Sequence, residues 1–325
     1  MVPSAEALAT FLSGARAQVD EALERYLPQP PACPAIVSEA IRYSVFAGGK
    51  RLRPVLTLAA ADAVARRKIA REERAGVVPL SRPADELALP AACAIELIHT
   101  YSLIHDDLPA MDNDTLRRGR PTLHVVYGDG IAILAADGLH AEAFGLIARE
   151  PITDDPAIVR RKLRVVGLVA EAAGPNGLVG GQAIDLQAAG QAPGRNVTLD
   201  ADGLKNMHAR KTGALIRASA VSGAVMAGAN DAIVAAVDRY ATELGLAFQI
   251  VDDILDVEGE AAELGKTAGK DAAGDKPTYP ALYGLEQSRT LARACVDRAR
   301  ESLIDAGLTT GHLEPIADWV VRRKN

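Results

Sequence analysis

Apolar residues recur along most of this chain at helical spacing. The first such run, residues 5–26, places its apolar side chains on one face and ends before a proline-rich stretch at 28–34. The spacing predicts helices at 5–26, 35–47, about 54–65, 86–107, 130–149, 156–173, 202–226, 230–258 and 290–306. Residues 66–85 are charged and contain proline, which predicts a solvated loop. Strand-like alternation is scarce, so we expect an all-α fold, a single large helical bundle forming one domain over residues 1–325.

Composition agrees with a helical protein and narrows its partners. The 325 residues are 49% hydrophobic but only 4% aromatic, and abundant alanine and leucine favour helix over strand. A formal net charge of −6 disfavours nucleic-acid binding, so an anionic ligand would need a local cationic pocket.

Cysteine usage and hydropathy bear on location. Cys33, Cys93 and Cys295 are widely separated, which argues against a disulfide framework or a zinc site and favours a reducing cytoplasm. No signal-peptide pattern stands at the N-terminus. No uninterrupted apolar run reaches about 18 residues, so we expect no stable membrane insertion.

The first of two acidic clusters comprises Asp106, Asp107 and Asp112 in the run HDDLPAMD, with Asp114 close behind. Pro109 should end the preceding helix, which leaves Asp106 and Asp107 at a helix C-terminus. The helix dipole already concentrates negative charge there, so these carboxylates are expected to need a cation.

The second cluster, Asp252, Asp253 and Asp256 in FQIVDDILD, lies inside an otherwise apolar helix. Asp252 and Asp256 are i,i+4 neighbours, and such a like-charged pair costs about 0.2–0.5 kcal/mol even when exposed. Carboxylate oxygens suit Mg²⁺, which commonly takes one or two of them and completes its octahedron with water and phosphate oxygens. One such cluster could be a solvated helix face, but two in apolar helical contexts favour a magnesium site.

Basic residues accompany glycines and the acidic clusters, which favours a polyphosphate site. They are Lys50, Arg51 and Arg53 beside a glycine pair, Arg117, Arg118 and Arg120 after the first cluster, Lys211 in a mid-chain helix, and Lys266, Lys270 and Lys276 after the second cluster. Each alone could be an ordinary surface charge. Arginine offers phosphate a planar fork and lysine a compact point charge, whereas carboxylates can hold a diphosphate only through a bridging metal.

Four uncharged or acidic polar residues also lie in apolar helical stretches. They are His99, Gln182, Asp185 and Gln249. Each could contact a ligand, or could instead be a core residue satisfied by a hydrogen bond between helices.

Together these motifs resemble the trans-prenyltransferase (polyprenyl diphosphate synthase) family, and most closely its bacterial farnesyl diphosphate synthases. The matching segments, in family order, are GGKRLRP (48–54), HTYSLIHDDLPAMDND (99–114), LRRGRPT (116–122), GQAIDL (181–186), KTGALI (211–216), FQIVDDILD (248–256), LGKTAGKD (264–271) and DKPTYP (275–280). The resemblance implies an isoprenoid-synthase bundle with a central apolar cavity, a homodimer, and Mg²⁺ as cofactor, with three ions in each active site. It also implies two substrates, isopentenyl diphosphate and an allylic diphosphate such as dimethylallyl or geranyl diphosphate.

Carried over to this sequence, the resemblance assigns roles to residues in three groups. Isopentenyl diphosphate would be held by Lys50, Arg53, His99 and Arg118. The allylic diphosphate would be held by Arg117, Lys211, Thr212, Gln249 and Lys266, and the first four of these are also the catalytic candidates. The metal candidates are Asp106, Asp107, Asp112, Asp252, Asp253 and Asp256, with Asp106 and Asp112 expected on two ions and Asp252 on the third. The departing diphosphate itself would accept the proton that the reaction releases.

Product length is predicted from the helix before the first cluster. Tyr101 lies about 7.5 Å farther down that helix than Asp106, where its ring could form a floor, whereas Ser102 is too small to do so. In the resembling family an aromatic residue here, with the longer DDxxxxD motif, goes with C15 products. Farnesyl diphosphate is therefore expected, with geranyl or geranylgeranyl diphosphate as the alternative. Tyr101 could instead merely pack against a neighbouring helix, and Gly138 and His140 look atypical for the family.

Three rival functions remain at this point. A class I terpene cyclase also ionises a prenyl diphosphate, but it has no use for the second diphosphate site of Lys50, Arg53 and His99. A metal phosphohydrolase, suggested by His105 and Asp106, needs further His and Asp ligands that the six histidines are not arranged to supply. A regulatory subunit of a heteromeric synthase should have lost part of an aspartate motif, and both are intact.

Overall fold

A computed structural model of the chain describes residues 5–74, 83–258 and 278–323. Its helices are α1 (Ala5–Tyr26), α2 (Ala35–Val45), α3 (Leu52–Arg74), α4 (Ala84–Asp106), α5 (Leu123–Tyr127), α6 (Asp129–Arg149), α7 (Pro156–Ala173), α8 (Leu178–Ala188), α9 (Ala201–His208), α10 (Ala214–Met226), α11 (Asp231–Glu258), α12 (Tyr279–Tyr283), α13 (Leu285–Asp305) and α14 (Leu313–Arg322). One π-helical turn, Ala209–Gly213, joins α9 to α10, and a two-stranded antiparallel hairpin, β1 (Leu116–Arg117) with β2 (Arg120–Pro121), precedes α5. The all-α prediction is confirmed.

Helices α4 and α10 form the centre of the bundle. Between Leu87 and Ile98 every residue of α4 is buried, and α10 is buried over most of its length. Helix α4 packs against α3, α6 and α10, and α10 also packs against α7 and α11. A helix that is apolar on all sides is typical of the interior of a large domain. The carboxyl end of α4, where the first acidic cluster begins, is thereby anchored to the rigid core.

Two of the described helices, α4 and α6, are long and apolar enough to pass a length and hydropathy test for spanning a membrane. Core helices pass the same test, and 89% of the relevant window of α4 is buried in the bundle. Only 39% of the corresponding window of α6 is buried. The expectation of no stable membrane insertion stays a prediction.

Helix α3 is longer than predicted. It continues to Arg74 through a segment that the sequence predicted to be a loop. Two ion pairs at i,i+4 spacing, Arg66 with Asp62 at 2.7 Å and Lys68 with Glu72 at 3.7 Å, support the extra turns. The charged residues taken as a loop signature therefore stabilise a solvent-facing helix.

Several shorter helices fall outside the helical spans that were predicted. They are α5, α8, α12 and α14. Helix α14 has apolar residues at i, i+3, i+4 and i+7 (Leu313, Ile316, Ala317, Val320), all of them buried. That spacing is a helical signal that the prediction overlooked.

Candidate active site

The first acidic cluster lies where α4 meets a tightly folded loop. The helix ends at Asp106, before Pro109, and Asp107 caps it, as predicted. The loop then turns back, so that the backbone N–H of Asp112 donates to the carbonyl oxygen of Asp106 at 2.8 Å. Asn113 has a φ of 52°, which lets the chain make this reversal. The longer spacing of the motif therefore still returns Asp112 to the end of α4.

Asp106 is held in an environment that disfavours its charge. Burial raises its pKa to about 6; Lys211 and Arg117 pull in the opposite direction, while the charges of Asp112 and Asp107 raise it further. Carboxylates gathered at the negative end of a helix dipole therefore repel one another. A bound cation would relieve that repulsion.

Asp107 differs from Asp106 because a side chain already neutralises it. Arg117, in β1, donates from Nε and Nη2 to the Asp107 carboxylate at 2.6–2.9 Å, a two-pronged ion pair. Asp107 is also only 4% exposed. The carboxylate thus fixes Arg117 beside the cluster.

Lys211 approaches the same cluster from the π-helical turn. Its Nζ donates to Asp185 of α8 at 2.5 Å. Burial by itself lowers the pKa of Lys211, but Asp185 and Asp106 raise it overall, so the ammonium stays charged. A Cβ added to Gly181 would lie 2.2 Å from the Lys211 backbone nitrogen, so only glycine allows α8 to approach this turn so closely.

The π-helical turn contains both Lys211 and Thr212. Such turns are rare and occur frequently at functional sites. The sequence predicted an uninterrupted helix here. The sequence also left open whether Asp185 and Gln182 contact a ligand or are core residues satisfied by hydrogen bonds. In the structure Asp185 forms an ion pair with Lys211. Gln182 Nε2 is buried without a hydrogen bond to the described residues.

The second acidic cluster sits near the end of α11, and its three members have different surroundings. Asp252 accepts a hydrogen bond from Arg323 at 2.6 Å. Asp253 is buried and accepts from the backbone N–H of Tyr279, at the start of α12, at 2.9 Å. Asp256 is exposed. Gln249 lies on the same helix, half-buried and about one turn before Asp252.

Arg323 was missed by the sequence analysis. Its guanidinium stacks over the Phe248 ring, 3.9 Å from the centroid, and it also donates to the Phe248 carbonyl at 3.1 Å. A basic run after α14 was the only sequence feature that could have suggested a role. The contact brings the C-terminal helix against the second acidic cluster.

A second set of candidate phosphate-binding side chains surrounds the neutral His99 and includes Arg53 and Arg118. Burial lowers the pKa of His99 well below its usual range, and the charges of Arg53 and Arg118 lower it further, so the ring is neutral at pH 7. Burial also lowers the pKa of Arg53, with Glu96 and Asp252 opposing, and the Arg53 Nε is buried without a hydrogen bond to the described residues. The charge of Arg53 therefore acts both on His99 and on Asp252 of the second acidic cluster.

Lys50 and Arg118 complete this group. The Lys50 ammonium lies 5.7 Å from the centroid of the Trp319 ring. Burial lowers the pKa of Lys50, as does Arg323, while Asp252 opposes the shift. Arg118 donates from Nη1 to the Gly48 carbonyl. Gly49 has a φ of 133°, and a Cβ added there would lie 2.6 Å from Arg118 Nη1. Glycine at this position therefore leaves room for the Arg118 side chain.

Arg51, which stands between Lys50 and Arg53, points into the core. It donates to Glu96 at 2.7 Å, to Asp20 at 2.9 Å and to the Val45 carbonyl at 2.6 Å. The sequence had grouped all three cations together. The structure gives Arg51 a structural role that holds the backbone of the turn.

Tyr101 is buried in α4, 5% exposed, and its ring contacts the rings of His105 and His140. The Ser102 hydroxyl donates to the His99 carbonyl at 2.9 Å, within its own helix. Tyr101 is thus the bulky residue below Asp106. The central apolar cavity that it would close stays a prediction.

The donor set suits magnesium better than a self-contained protein metal site. Among residues 5–74, 83–258 and 278–323 no group of three or more His, Cys, Asp or Glu side chains is arranged to hold a metal by itself. Magnesium needs only one or two carboxylates when phosphate oxygens supply the rest. Asp106, Asp112 and Asp252 can provide such contacts, and because burial raises the pKa of Asp106, a bound cation would favour its ionised form.

The site therefore combines two sets of basic side chains with two acidic clusters. Lys50, Arg53 and Arg118, with the neutral His99, form one set, and Lys211 with Arg117 forms the other; the charge of Arg117 also reaches His99. Lys266 lies outside the described residues. Such an arrangement can hold two polyphosphate groups, one of them against carboxylates that need a bridging metal.

Comparison with known proteins places this geometry in context. Residues 34–305 match the sequence profile of the family described as polyprenyl synthetase. The chain is 44% identical to a farnesyl diphosphate synthase of Escherichia coli over 94% of this chain and 95% of that protein. It is 41% identical to a geranylgeranyl diphosphate synthase of Cyanophora paradoxa over 98% and 97% of the two chains. The crystal structure of an FPP/GFPP synthase from Zymomonas mobilis superposes with a TM-score of 0.79 at 37% identity, covering 98% and 100% of the two chains.

Proposed function

The chain belongs to the polyprenyl synthetase family and is a prenyltransferase, and from that premise we propose that it uses Mg²⁺ to make mainly farnesyl diphosphate. Its substrates are isopentenyl diphosphate and, successively, dimethylallyl and geranyl diphosphates. The observation that carries the proposal is the presence of two sets of basic side chains, Lys211 and Arg117 beside Asp106 and Lys50 and Arg53 near Asp252, since a condensation of two diphosphates needs two diphosphate sites. Relatives are named for products of different length, so the proposal that the product is C15 depends on Tyr101 rather than on the relatives.

Isopentenyl diphosphate is assigned to Lys50, Arg53, His99 and Arg118. The buried, unpartnered Arg53 Nε is a donor that this diphosphate can satisfy. Neutral His99 can donate one further hydrogen bond without adding charge. Arg51 keeps the turn in place from the core side.

The allylic diphosphate is assigned to Lys211, Thr212, Arg117 and Gln249, with Lys266 proposed from the sequence. Asp106 and Asp112 are assigned to two Mg²⁺ ions and Asp252 to a third. Bound Mg²⁺ would supply positive charge where the leaving diphosphate accumulates negative charge. Asp107 and Asp253 support the clusters through Arg117 and the Tyr279 backbone, in addition to any ligand role.

The chain's own residues then perform the remaining tasks. Lys211 and Arg117 hold the allylic diphosphate and stabilise it as the carbon–oxygen bond breaks. The isopentenyl group, positioned by Arg53 and His99, attacks the allylic carbon through its double bond. The departing diphosphate accepts the proton that is lost. Apolar walls below Asp106 exclude water, which would otherwise convert the cation to an alcohol.

We further propose that a second copy of this chain covers the exposed part of α5 and α6. Val125 and Val126 on α5 and Ile133 and Leu134 on α6 are 42–57% exposed there, which leaves apolar side chains uncovered on two neighbouring helices. A homodimer of about twice 34.1 kDa should appear by light scattering, and Leu134→Glu should shift it toward monomer. A monomeric wild-type protein would remove this part of the proposal.

A reducing cytoplasm remains our proposed location. Its support is chemical: Cys33, Cys93 and Cys295 are all free thiols, and burial raises the pKa of Cys295 to about 11. A buried thiol of that kind is unreactive.

Separate kinetic titration of the two substrates tests the two-site assignment. Arg53→Ala should raise the KM for isopentenyl diphosphate by about 10- to 100-fold, the range that loss of a charged hydrogen bond produces. Lys211→Ala should instead lower kcat, because it removes charge from the leaving diphosphate. Lys205→Ala, an exposed lysine on α9, should behave like wild type. If Arg53→Ala and Lys211→Ala weakened binding of the same substrate alone, the assignment would be wrong.

A further inference from the structure

Four rings form a continuous ladder between α4 and α6. The Tyr101 ring lies parallel to the His140 ring, with centroids 4.6 Å apart and an interplanar angle of 7°. The His105 and Tyr101 rings are nearly perpendicular, with centroids 5.5 Å apart and an interplanar angle of 89°. The Phe144 ring contacts the His140 ring with centroids 5.5 Å apart and an interplanar angle of 52°. Tyr101 and His105 come from α4, and His140 and Phe144 come from α6. The orientation of Tyr101 is therefore set across a helix interface.

His140 is the member of the ladder that covers the face of Tyr101. Burial lowers the pKa of His140, with Asp137 opposing, so the ring stacks as a neutral aromatic at pH 7. It is only half-buried itself, on a helix whose outer side is exposed. If its imidazole were removed, no other described ring contact would remain on that face of Tyr101.

Tyr101 can act as a floor only if its ring keeps one orientation. In the proposed function an alkyl chain would grow down α4 from Asp106 and press on the ring, and a ring free to rotate toward α6 would let the chain pass. Ser102 cannot replace it, because its hydroxyl is engaged with its own helix. The rigidity of the floor thus depends on what lies behind Tyr101.

We propose that His140 is a positioning residue for product length, which holds the Tyr101 ring flat against α6 and so stops elongation at C15. This inference rests on the proposed function, in which Tyr101 is the floor. It adds a residue on a different helix, one whose contribution comes from stacking on Tyr101 rather than from contact with the diphosphates. It also gives a physical role to one of the two residues that look atypical for the family.

The test is a double-mutant cycle read out by mass analysis of the diphosphates formed. Wild type, His140→Ala, Tyr101→Ala and the double variant are each given isopentenyl and dimethylallyl diphosphates. His140→Ala should raise the C20:C15 product ratio by about 2- to 12-fold, which is the interaction energy of one aromatic pair expressed as a ratio. The kcat for the first condensation should stay near that of the wild type. The double variant should match Tyr101→Ala alone, because His140 acts through Tyr101. His140→Phe should restore the wild-type ratio.

Control variants separate positioning from mere stability. Glu142→Ala on the same helix, which loses an ion pair to Arg149, should leave the ratio unchanged. If His140→Ala is insoluble, His140→Asn removes the flat ring while keeping a polar side chain. A lengthened product from Tyr101→Ala together with an unchanged one from the His140 variants would overturn the inference. Unchanged products from Tyr101→Ala would overturn the floor and the inference with it, and failure of wild type to condense would overturn the proposed function instead.

Discussion

Replacing Glu96 by alanine is expected to destabilise the protein by about 3 kcal/mol, the lower end of the range for breaking a buried ion pair. The Arg51 and Glu96 side chains are 3% and 6% exposed, and their charged atoms are 2.7 Å apart. Without Glu96, the Arg51 guanidinium stays buried with only Asp20 and the Val45 carbonyl as partners. Equilibrium urea denaturation at one protein concentration, followed by circular dichroism, measures the loss.

Asp20→Ala is the matched control for this prediction. Asp20 also pairs with Arg51, at 2.9 Å, but its side chain is 34% exposed, so solvent screens the pair and its loss should cost about 0–1 kcal/mol. Replacing both charges, Arg51→Met with Glu96→Leu, should recover most of the stability, since no uncompensated charge is left in the core. If Glu96→Ala cost no more than Asp20→Ala, the structural role given to Arg51 would be wrong.

Three further perturbations test the acidic cluster, the floor and a helix. Asp106→Ala or Asp252→Ala should lower turnover by about 10²–10³-fold. In metal-free protein at pH 7 Asp106→Ala should not lower the free energy of unfolding, because the wild-type carboxyl has a folded pKa of about 6, raised above 3.8, so its ionisation opposes folding. That electrostatic difference should vanish below about pH 3, where the carboxyl is protonated in both the folded and the unfolded state. Tyr101→Ala should shift the product toward C20, and an unchanged product from a fully active variant would place the floor elsewhere. Gly138→Ala should stabilise α6 by about 0.5–1 kcal/mol in urea denaturation, because the new Cβ meets only Ile41 Cδ1 at an ordinary 3.7 Å; a destabilised variant would contradict this.

The chemistry-bearing motifs were the most predictable part of the chain. Asp106 and Asp252 stand out in sequence because a carboxylate inside an apolar helix has no structural explanation without a cation. The end of α4 before Pro109 followed from proline sterics alone. These features depend on local rules, which a sequence states directly.

The contacts that separate neighbouring cations could not be predicted. Arg51 and Arg53 are two residues apart and chemically identical, yet Arg51 is hydrogen-bonded to Glu96 in the core, whereas Arg53 Nε is buried without a hydrogen bond to the described residues. Arg51 has a φ of 51°, an uncommon conformation that reverses the direction of its side chain and that no propensity rule would assign to arginine. Its partner Glu96 lies far along the chain, so only the folded structure shows the pair.

Charge was also misjudged as a sign of irregular structure. The segment after residue 65 reads as a loop by composition, but its i,i+4 ion pairs make it the end of α3. In the same way, Arg323 gains its place beside Asp252 only because α14 packs against α11. Long-range packing decides both outcomes, and a single sequence does not record it.

The most direct test of the account is mass analysis of the products that the purified single chain makes from isopentenyl and dimethylallyl diphosphates with Mg²⁺. The account predicts a linear C15 diphosphate as the main product, inorganic diphosphate in step with each condensation, and loss of activity with EDTA. A cyclised hydrocarbon, phosphate released without isopentenyl diphosphate, or no product until another subunit is added would contradict it.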